Sequence, residues 1–221
     1  MWIPAASRHN VYRETLGFEK TFLNGDASFG MRLPFLTLPG HDNDIGDVSL
    51  IFKYAFINDR TTGNVLSAGL MITAPTSPIT FGFDTLQNQS IHSTVIQPFI
   101  AGKAVYGNFF FQGFSSIALP TDSRDVTYLF NDIGVGYYAY RAGPNDLVQA
   151  ISPVVELHVD TPIKNNNQIG VPLPLDTIVN FTAGVQVDLK GGFQLGAAVV
   201  VPVTSPRPFD VETIARLNFR F

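Results

Sequence analysis

Cysteine is absent from this chain of 221 residues, which removes disulfides, thiolate nucleophiles and cysteine-based zinc sites together. Charge is scarce. Asp, Glu, Lys and Arg make up 14% of the residues, where about a quarter is usual in a soluble domain. Long apolar runs are missing too: the longest, roughly Gly196 to Val203, falls well short of the ~18–20 residues that a membrane-spanning helix needs. Lys and Arg form no cluster, and the net charge is −4, so nucleic acid is excluded as the expected partner. The opening stretch, Met1-Trp-Ile-Pro-Ala-Ala-Ser-Arg-His-Asn10, has neither the basic nor the apolar region of a signal peptide.

What the chain does have is phenylalanine, 19 residues of it, within an ordinary hydrophobic fraction of 45%, and that hydrophobicity alternates. In the last segment Phe209, Val211, Thr213, Ala215, Leu217, Phe219 and Phe221 share one parity, and Asp210, Glu212, Ile214, Arg216, Asn218 and Arg220 the other. Successive side chains of a strand point to opposite faces, so this strand has an oily side and a charged side. Eleven such segments can be marked, at about 11–23, 27–35, 47–57, 64–74, 92–101, 104–117, 126–141, 147–160, 177–188, 193–203 and 209–221. The third sets Val48, Leu50, Phe52, Tyr54 and Phe56 against Asp47, Ser49, Ile51, Lys53 and Ala55. Around Phe109-Phe110-Phe111 the alternation is lost.

The connections carry more information than the strands. Asn24-Gly-Asp26, Asn58-Asp-Arg-Thr-Thr-Gly63, Ala101-Gly-Lys103, Gly143-Pro-Asn-Asp146 and Lys190-Gly-Gly192 are short and suited to hairpins. Between them lie longer connections at about 36–46, 75–91, 118–125, 161–176 and 204–208. Short and long alternate strictly, as the periplasmic turns and extracellular loops of transmembrane barrels do. The expected fold is therefore all-β: an antiparallel transmembrane β-barrel occupying 1–221 as a single domain, placed in a bacterial outer membrane. A chain ending at a periplasmic Phe221 counts back to a first strand that begins outside, which makes the visible count odd. Bacterial single-chain barrels are even. One upstream strand and a signal peptide are therefore expected before Met1, for twelve strands with eleven visible. A soluble sandwich accounts for alternation equally well, but not for low charge, loop asymmetry and aromatic strand ends together. Those aromatics are Tyr54, Phe56, Tyr137, Tyr140, Phe219 and Phe221.

Register follows from cost. A slip of one residue in the last strand would turn Arg216 and Arg220 toward lipid, at up to ~2–4 kcal/mol each near the midplane. On the assigned faces, Glu14 and Lys20 are the outward charges of the first strand, near its two ends, where the penalty falls to about 0–1 kcal/mol.

The segments Gly17-Phe-Glu-Lys-Thr-Phe-Leu-Asn-Gly25, Gly69-Leu-Met-Ile-Thr-Ala-Pro75, Gln112-Gly-Phe-Ser-Ser116 and Asn131-Asp-Ile-Gly-Val-Gly-Tyr137 give the chain a further likeness. It resembles bacterial outer-membrane β-barrel transporters of the type grouped as "MetA-pathway of phenol degradation". The resemblance spans most of the chain and rests on glycines and aromatics in strands. It implies a barrel that passes small, aromatic or hydrophobic compounds, and it carries over no functional residues.

Motifs with chemical meaning are few. Gly134-Val-Gly136-Tyr-Tyr-Ala139 has the letters of a dinucleotide loop, but it lies inside a strand with no following helix. There, glycines bend the strand or make room for neighbours. Gly113-Phe-Ser115-Ser116-Ile117 lacks the closing glycine of a nucleophile elbow. His9, His41, His92 and His158 fall at loops or strand ends on the long-connection side, without ligand spacing. His41-Asp-Asn-Asp-Ile-Gly-Asp47 misses the calcium-loop pattern. No cofactor, metal or catalytic residue is expected.

The inward charges are more telling as a set. Glu19, Arg32, Lys53, Asp132, Glu156, His158, Arg216 and Arg220 are the expected lumen-lining residues, with Asp160, Asp188, Asp210 and Glu212 on the same parity. Most basic ones lie toward the periplasmic half and most acidic ones toward the outside. Such charges select solutes electrostatically, or they pair across a narrow interior and plug it; both readings stand. Phe219 and Phe221 are the expected C-terminal assembly signal, read by the barrel-assembly machinery. The expected function is a passive, non-enzymatic channel or transporter whose partners are the lipid bilayer, that machinery and a small-molecule solute. A barrel hydrolase using Ser115 or Ser116 beside a histidine on the outer surface, and a plugged structural or adhesive barrel, are the alternatives.

Overall fold

The computed structural model describes residues 11–37, 44–77, 92–143, 145–164, 176–205, 207 and 209–220, with backbone alone at 82–84 and 89–91. Phe221, His9 and His41 lie outside the described residues. Among the described residues, eleven long strands form the fold: β1 (Tyr12–Phe22), β2 (Ala27–Thr37), β3 (Val48–Asp59), β4 (Asn64–Ala74), β5 (Val95–Tyr106), β6 (Phe109–Pro120), β7 (Thr127–Tyr137), β8 (Val148–Lys164), β9 (Ile178–Leu189), β10 (Phe193–Pro202) and β11 (Glu212–Phe219). They pair in chain order, each antiparallel to the next, in one sheet. Two short segments are added at its margin, Asp44–Ile45 against β2 and Tyr140–Arg141 against β8. A separate two-stranded ribbon joins Gly82–Asp84 to Gln89–Ile91.

The sheet is curled into a half-barrel. In a flat sheet, ten strand-to-strand steps would set β1 and β11 roughly 48 Å apart. Instead Arg13 Nη2 of β1 lies 3.9 Å from Glu212 Oε1 of β11. Both side chains have the parity of the polar residues, so the polar face is the concave one. Ten antiparallel steps also return the chain to its starting direction, so β1 and β11 run the same way and make no ladder with each other. They are the most exposed strands of the sheet.

Parity holds around the whole sheet. Convex positions include Leu16, Phe18, Phe52, Tyr54, Ile100, Phe111, Ile133, Val155, Leu195 and Leu217, all exposed. The concave face holds the buried side chains, among them Leu36, Phe110, Ser116, Ser152, Thr182 and Val200. This inverts a soluble domain. Each large apolar side chain left in water forgoes about 1.5–3 kcal/mol of burial, and here dozens do so while the buried apolar set among the described residues is five side chains.

Aromatic pairs gather near the short-turn rim on the convex side. Tyr54–Phe56, Phe109–Tyr137 and Phe193–Phe219 have ring centroids at 5.4, 4.9 and 4.5 Å. Phe56 is the extra residue of a bulge between Ala55 and Ile57, which re-aims side chains at the sheet margin. At the other rim, the Arg124 guanidinium grips Asp122 through Nε (3.0 Å) and Nη2 (2.6 Å). This grip pulls the half-buried Asp122 carboxyl down to about 2.

Two expected boundaries are corrected. The turn between the fifth and sixth strands is not Ala101-Gly-Lys103, which lies within β5; the chain reverses at Gly107-Asn108. Gly107 has φ +60°, as the first central residue of a II′ hairpin turn requires. With that register the three phenylalanines alternate after all: Phe109 and Phe111 are exposed, and Phe110 is 2% exposed. The seventh strand, expected to reach 141, stops at Tyr137. Opposite lies Pro153, and the β7–β8 ladder ends at Gly136↔Val154, because proline has no N–H to donate. Pairing resumes where Ala139 N donates to Ile151 O at 2.9 Å.

The Gly107 turn gives a test. Gly107→Ala has open space for its methyl but must hold a positive φ, so it is expected to destabilise the protein by about 1 kcal/mol. Equilibrium unfolding in urea measures this, and an unchanged midpoint would contradict the turn assignment.

Candidate functional site

The concave face carries a polar network spread over β6 to β9. Cross-strand pairing sets Asp132 of β7 beside His158 of β8, and Gln112 of β6, Gly134 of β7, Glu156 of β8 and Thr182 of β9 in one row. Asp132 Oδ1 lies 2.9 Å from His158 Nδ1. The other ring nitrogen, Nε2, is 3.0 Å from Thr182 Oγ1 and 3.5 Å from Glu156 Oε2. The remaining Glu156 oxygen accepts from Gln112 Nε2, a side chain two strands away.

That reach depends on Gly134. A Cβ there would stand 3.0 Å from both Gln112 Cγ and Glu156 Cγ, so the glycine leaves a window through which its two neighbours meet. The same device recurs in β10. Gln186, Gly196 and Arg216 are direct cross-strand partners, and Arg216 passes over Gly196 to donate from Nη2 to Gln186 Oε1 at 3.3 Å and to Gln194 Oε1 at 3.4 Å. Gln194 Nε2 in turn donates to Asp188 Oδ1 at 2.7 Å. The glycines of the dinucleotide-like motif are thus steric windows: Gly134 under Gln112 and Glu156, Gly136 under the Phe110 ring.

A cavity of about 170 Å³ opens on this network, lined by Gln112, Phe114, Asp132, Gly134, Glu156 and His158 with Gly113 and Ile133. Its donors and acceptors can hydrogen-bond a small polar solute. Asp132, His158 and Thr182 have the order of an acid–base–hydroxyl relay, but Thr182 is 5% exposed and Glu156 shares the nitrogen that a nucleophile would use. The geometry is that of a hydrogen-bonded cluster that presents carboxylate, imidazole and amide groups to the concave side.

The other expected lining residues also sit on the concave face. Glu19 Oε1 and Lys53 Nζ form an ion pair of 2.8 Å across β2, and Arg32 shares their parity. Arg216 and Arg220 fall on the concave parity of β11 and the residues after it. Ser115 and Ser116 part company. Ser115 points to the convex side and donates to Asn131 Oδ1 at 2.8 Å, whereas Ser116 faces inward and bonds Gln97 Nε2 at 2.8 Å. Among the described residues, neither serine has a histidine beside it, and no group of His, Asp and Glu is arranged to hold a metal. His92 Nε2 lies 3.4 Å from Asp47 Oδ1 in the long-connection region.

One constellation was not expected from sequence. Lys103 Nζ stands 4.4 Å above the Phe110 ring centroid and donates to Tyr138 Oη at 3.2 Å. The Arg141 guanidinium covers the Tyr138 ring at 3.7 Å, and the two rings are 5.0 Å apart. With Lys103 assigned to a turn, its inward parity was hidden. Gly107-Asn108 is the signal that exposes it, since Gly-Asn is itself a hairpin dipeptide.

Compared with known proteins, the chain matches no family model and no curated protein.

The Asp132–His158 contact predicts strong coupling. In a double-mutant cycle with Asp132→Ala and His158→Ala, unfolding free energies should show an interaction of roughly 1–3 kcal/mol. Strict additivity would mean that the two groups do not meet.

Proposed function

We propose that this chain forms a transmembrane β-barrel of a bacterial outer membrane, twelve strands in all, acting as a passive channel or transporter for small molecules. The observation that carries the reading is the inverted amphipathicity: a convex face of exposed large apolar side chains around a polar concave face. In water that arrangement leaves the hydrophobic effect unused. In a bilayer the lipid chains cover the convex face, and the ladder satisfies the backbone groups that lipid cannot.

Direction supports an even total, of which twelve is the smallest. β1 and β11 run the same way, and their side chains already approach within 3.9 Å at Arg13 and Glu212. One strand antiparallel to both completes the ladder, and an edge that lies in lipid must be closed. The aromatic pairs near the short turns fit an interfacial girdle. In this frame the short turns are periplasmic, and β11 with Phe219 and Phe221 presents itself to the assembly machinery.

Passage rather than plugging is supported by the way the concave contacts run. Glu19–Lys53, Gln112–Glu156, His158–Thr182 and Arg216–Gln186 join strands next to one another or one strand apart. They lie along the wall instead of crossing the interior. The likeness to phenol-degradation barrel transporters agrees with this reading and points to small aromatic or hydrophobic solutes.

Ile133 supplies the decisive test. It is 64% exposed, in the middle of β7. In a bilayer Ile133→Arg should cost roughly 2–4 kcal/mol, whereas an exposed site in water changes by about 0.5 kcal/mol or less. Urea unfolding of vesicle-reconstituted protein reads the difference, and a negligible cost would sink the membrane reading. Planar bilayers test transport: reconstituted protein that shifts on heating in detergent gels yet shows no conductance or solute flux would refute the channel.

A further inference from the structure

We propose that the interior carries a fixed positive filter at its short-turn rim, built by Lys103, Arg141 and Arg216, which favours small anions over cations. This rests on the channel reading above and names the class of solute that the channel prefers.

The argument starts from which charges are cancelled. Toward the long-connection rim the acids outnumber the bases: Glu212 faces Arg13, Asp132 and Glu156 flank His158, and Asp160 adds a further carboxylate on the same parity. Toward the short turns the balance reverses. Lys103 is three residues before the end of β5, and Arg216 three before the end of β11. Arg141 pairs with Ala150 on the concave parity, beyond the end of β7, and Arg220 follows β11. Among the described residues, none of these four forms an ion pair. The acids at that level are Glu19, already bridged to Lys53, and Asp188, held by glutamine amides. Once the Glu19–Lys53 pair is set aside, Lys103 and Arg216, with Arg141 and Arg220 beyond the strand ends, outnumber Asp188 on the concave parity.

The partners of these cations preserve their charge. Lys103 and Arg141 are held over the Phe110 and Tyr138 rings, and Arg216 by Gln186 and Gln194. Rings and amides fix position without adding a negative charge, so the field stays available to a passing solute. Low-dielectric walls concentrate that field. The turn charges Asp26, Asp59, Arg60, Asp146 and Lys190 lie at the mouth, where salt screens them.

The test is the reversal potential of reconstituted protein in planar bilayers under a potassium chloride gradient. Wild type should prefer chloride. The preference should fade as salt rises from about 0.1 M to 1 M, because the screening length shrinks from ~10 Å to ~3 Å. The Lys103→Gln/Arg141→Gln/Arg216→Gln variant should lose the preference, while Lys20→Gln, which removes a charge from the convex parity near the same rim, should keep it. The salt series needs no variant, so a misfolded triple variant does not rescue the idea. A cation preference, or a chloride preference that ignores salt or survives the triple substitution, would overturn the filter and leave the channel standing. Absence of any conductance would overturn both.

Discussion

The antiparallel ladder runs from β1 to β11 without skipping a strand, and one phase of alternation decides where every side chain goes. Because each strand is hydrogen-bonded to its neighbours, a slip of one residue anywhere would exchange the oily and polar faces of that strand. Bulges and prolines are the only places where the phase can be renegotiated. The bulge at Phe56 and the break opposite Pro153 both sit near the short-turn rim, where exchange is cheapest. The concave network is a consequence of this phase. Asp132 meets His158, and Gln112 reaches Glu156, because four consecutive strands keep the same parity in register.

Parity is also why so much could be read from the chain, and why some of it could not. Eleven segments can be marked from alternation, the fifth and sixth less clearly than the rest, and in the last of them Arg216 has the parity that the ladder makes concave. The error at 101–103 arose because a glycine beside a lysine looks like a turn when Phe109-Phe110-Phe111 masks the pattern that follows. Nothing local distinguishes Gly102, a strand residue in the ladder, from Gly107, a turn residue at positive φ; the difference lies in which neighbours the ladder supplies. Thr182 and Gln112 share a face with His158 and Glu156, but their meeting depends on pairing between strands far apart in sequence. Alternation fixes a face. It does not fix a register between strands.

Glycine has a second role that sequence only hinted at. At 134 and 196 its missing side chain lets residues on the two flanking strands touch across the intervening one. Contacts that hop one strand pull the polar groups against the wall. A side chain bonded along the wall is not free to extend toward the centre, so these windows favour a lined interior over a filled one. The aromatic cradle of Lys103 and Arg141 works by the same principle at the rim, with ring faces in place of a glycine gap.

The two edges complete the argument about stability. In a flat sheet, β1 and β11 would be far apart and independent; here the curl brings Arg13 to Glu212, yet among the described residues no further strand ladders onto the outer N–H and C=O groups of either. In water those groups are solvated at little cost. In hydrocarbon each costs several kcal/mol, so the environment that rewards the convex apolar face also penalises the open seam. The two demands point the same way. A chain with this surface is stable in lipid only when its ladder closes, and the shared direction of β1 and β11 means that closure takes an odd number of further strands, of which one is the fewest.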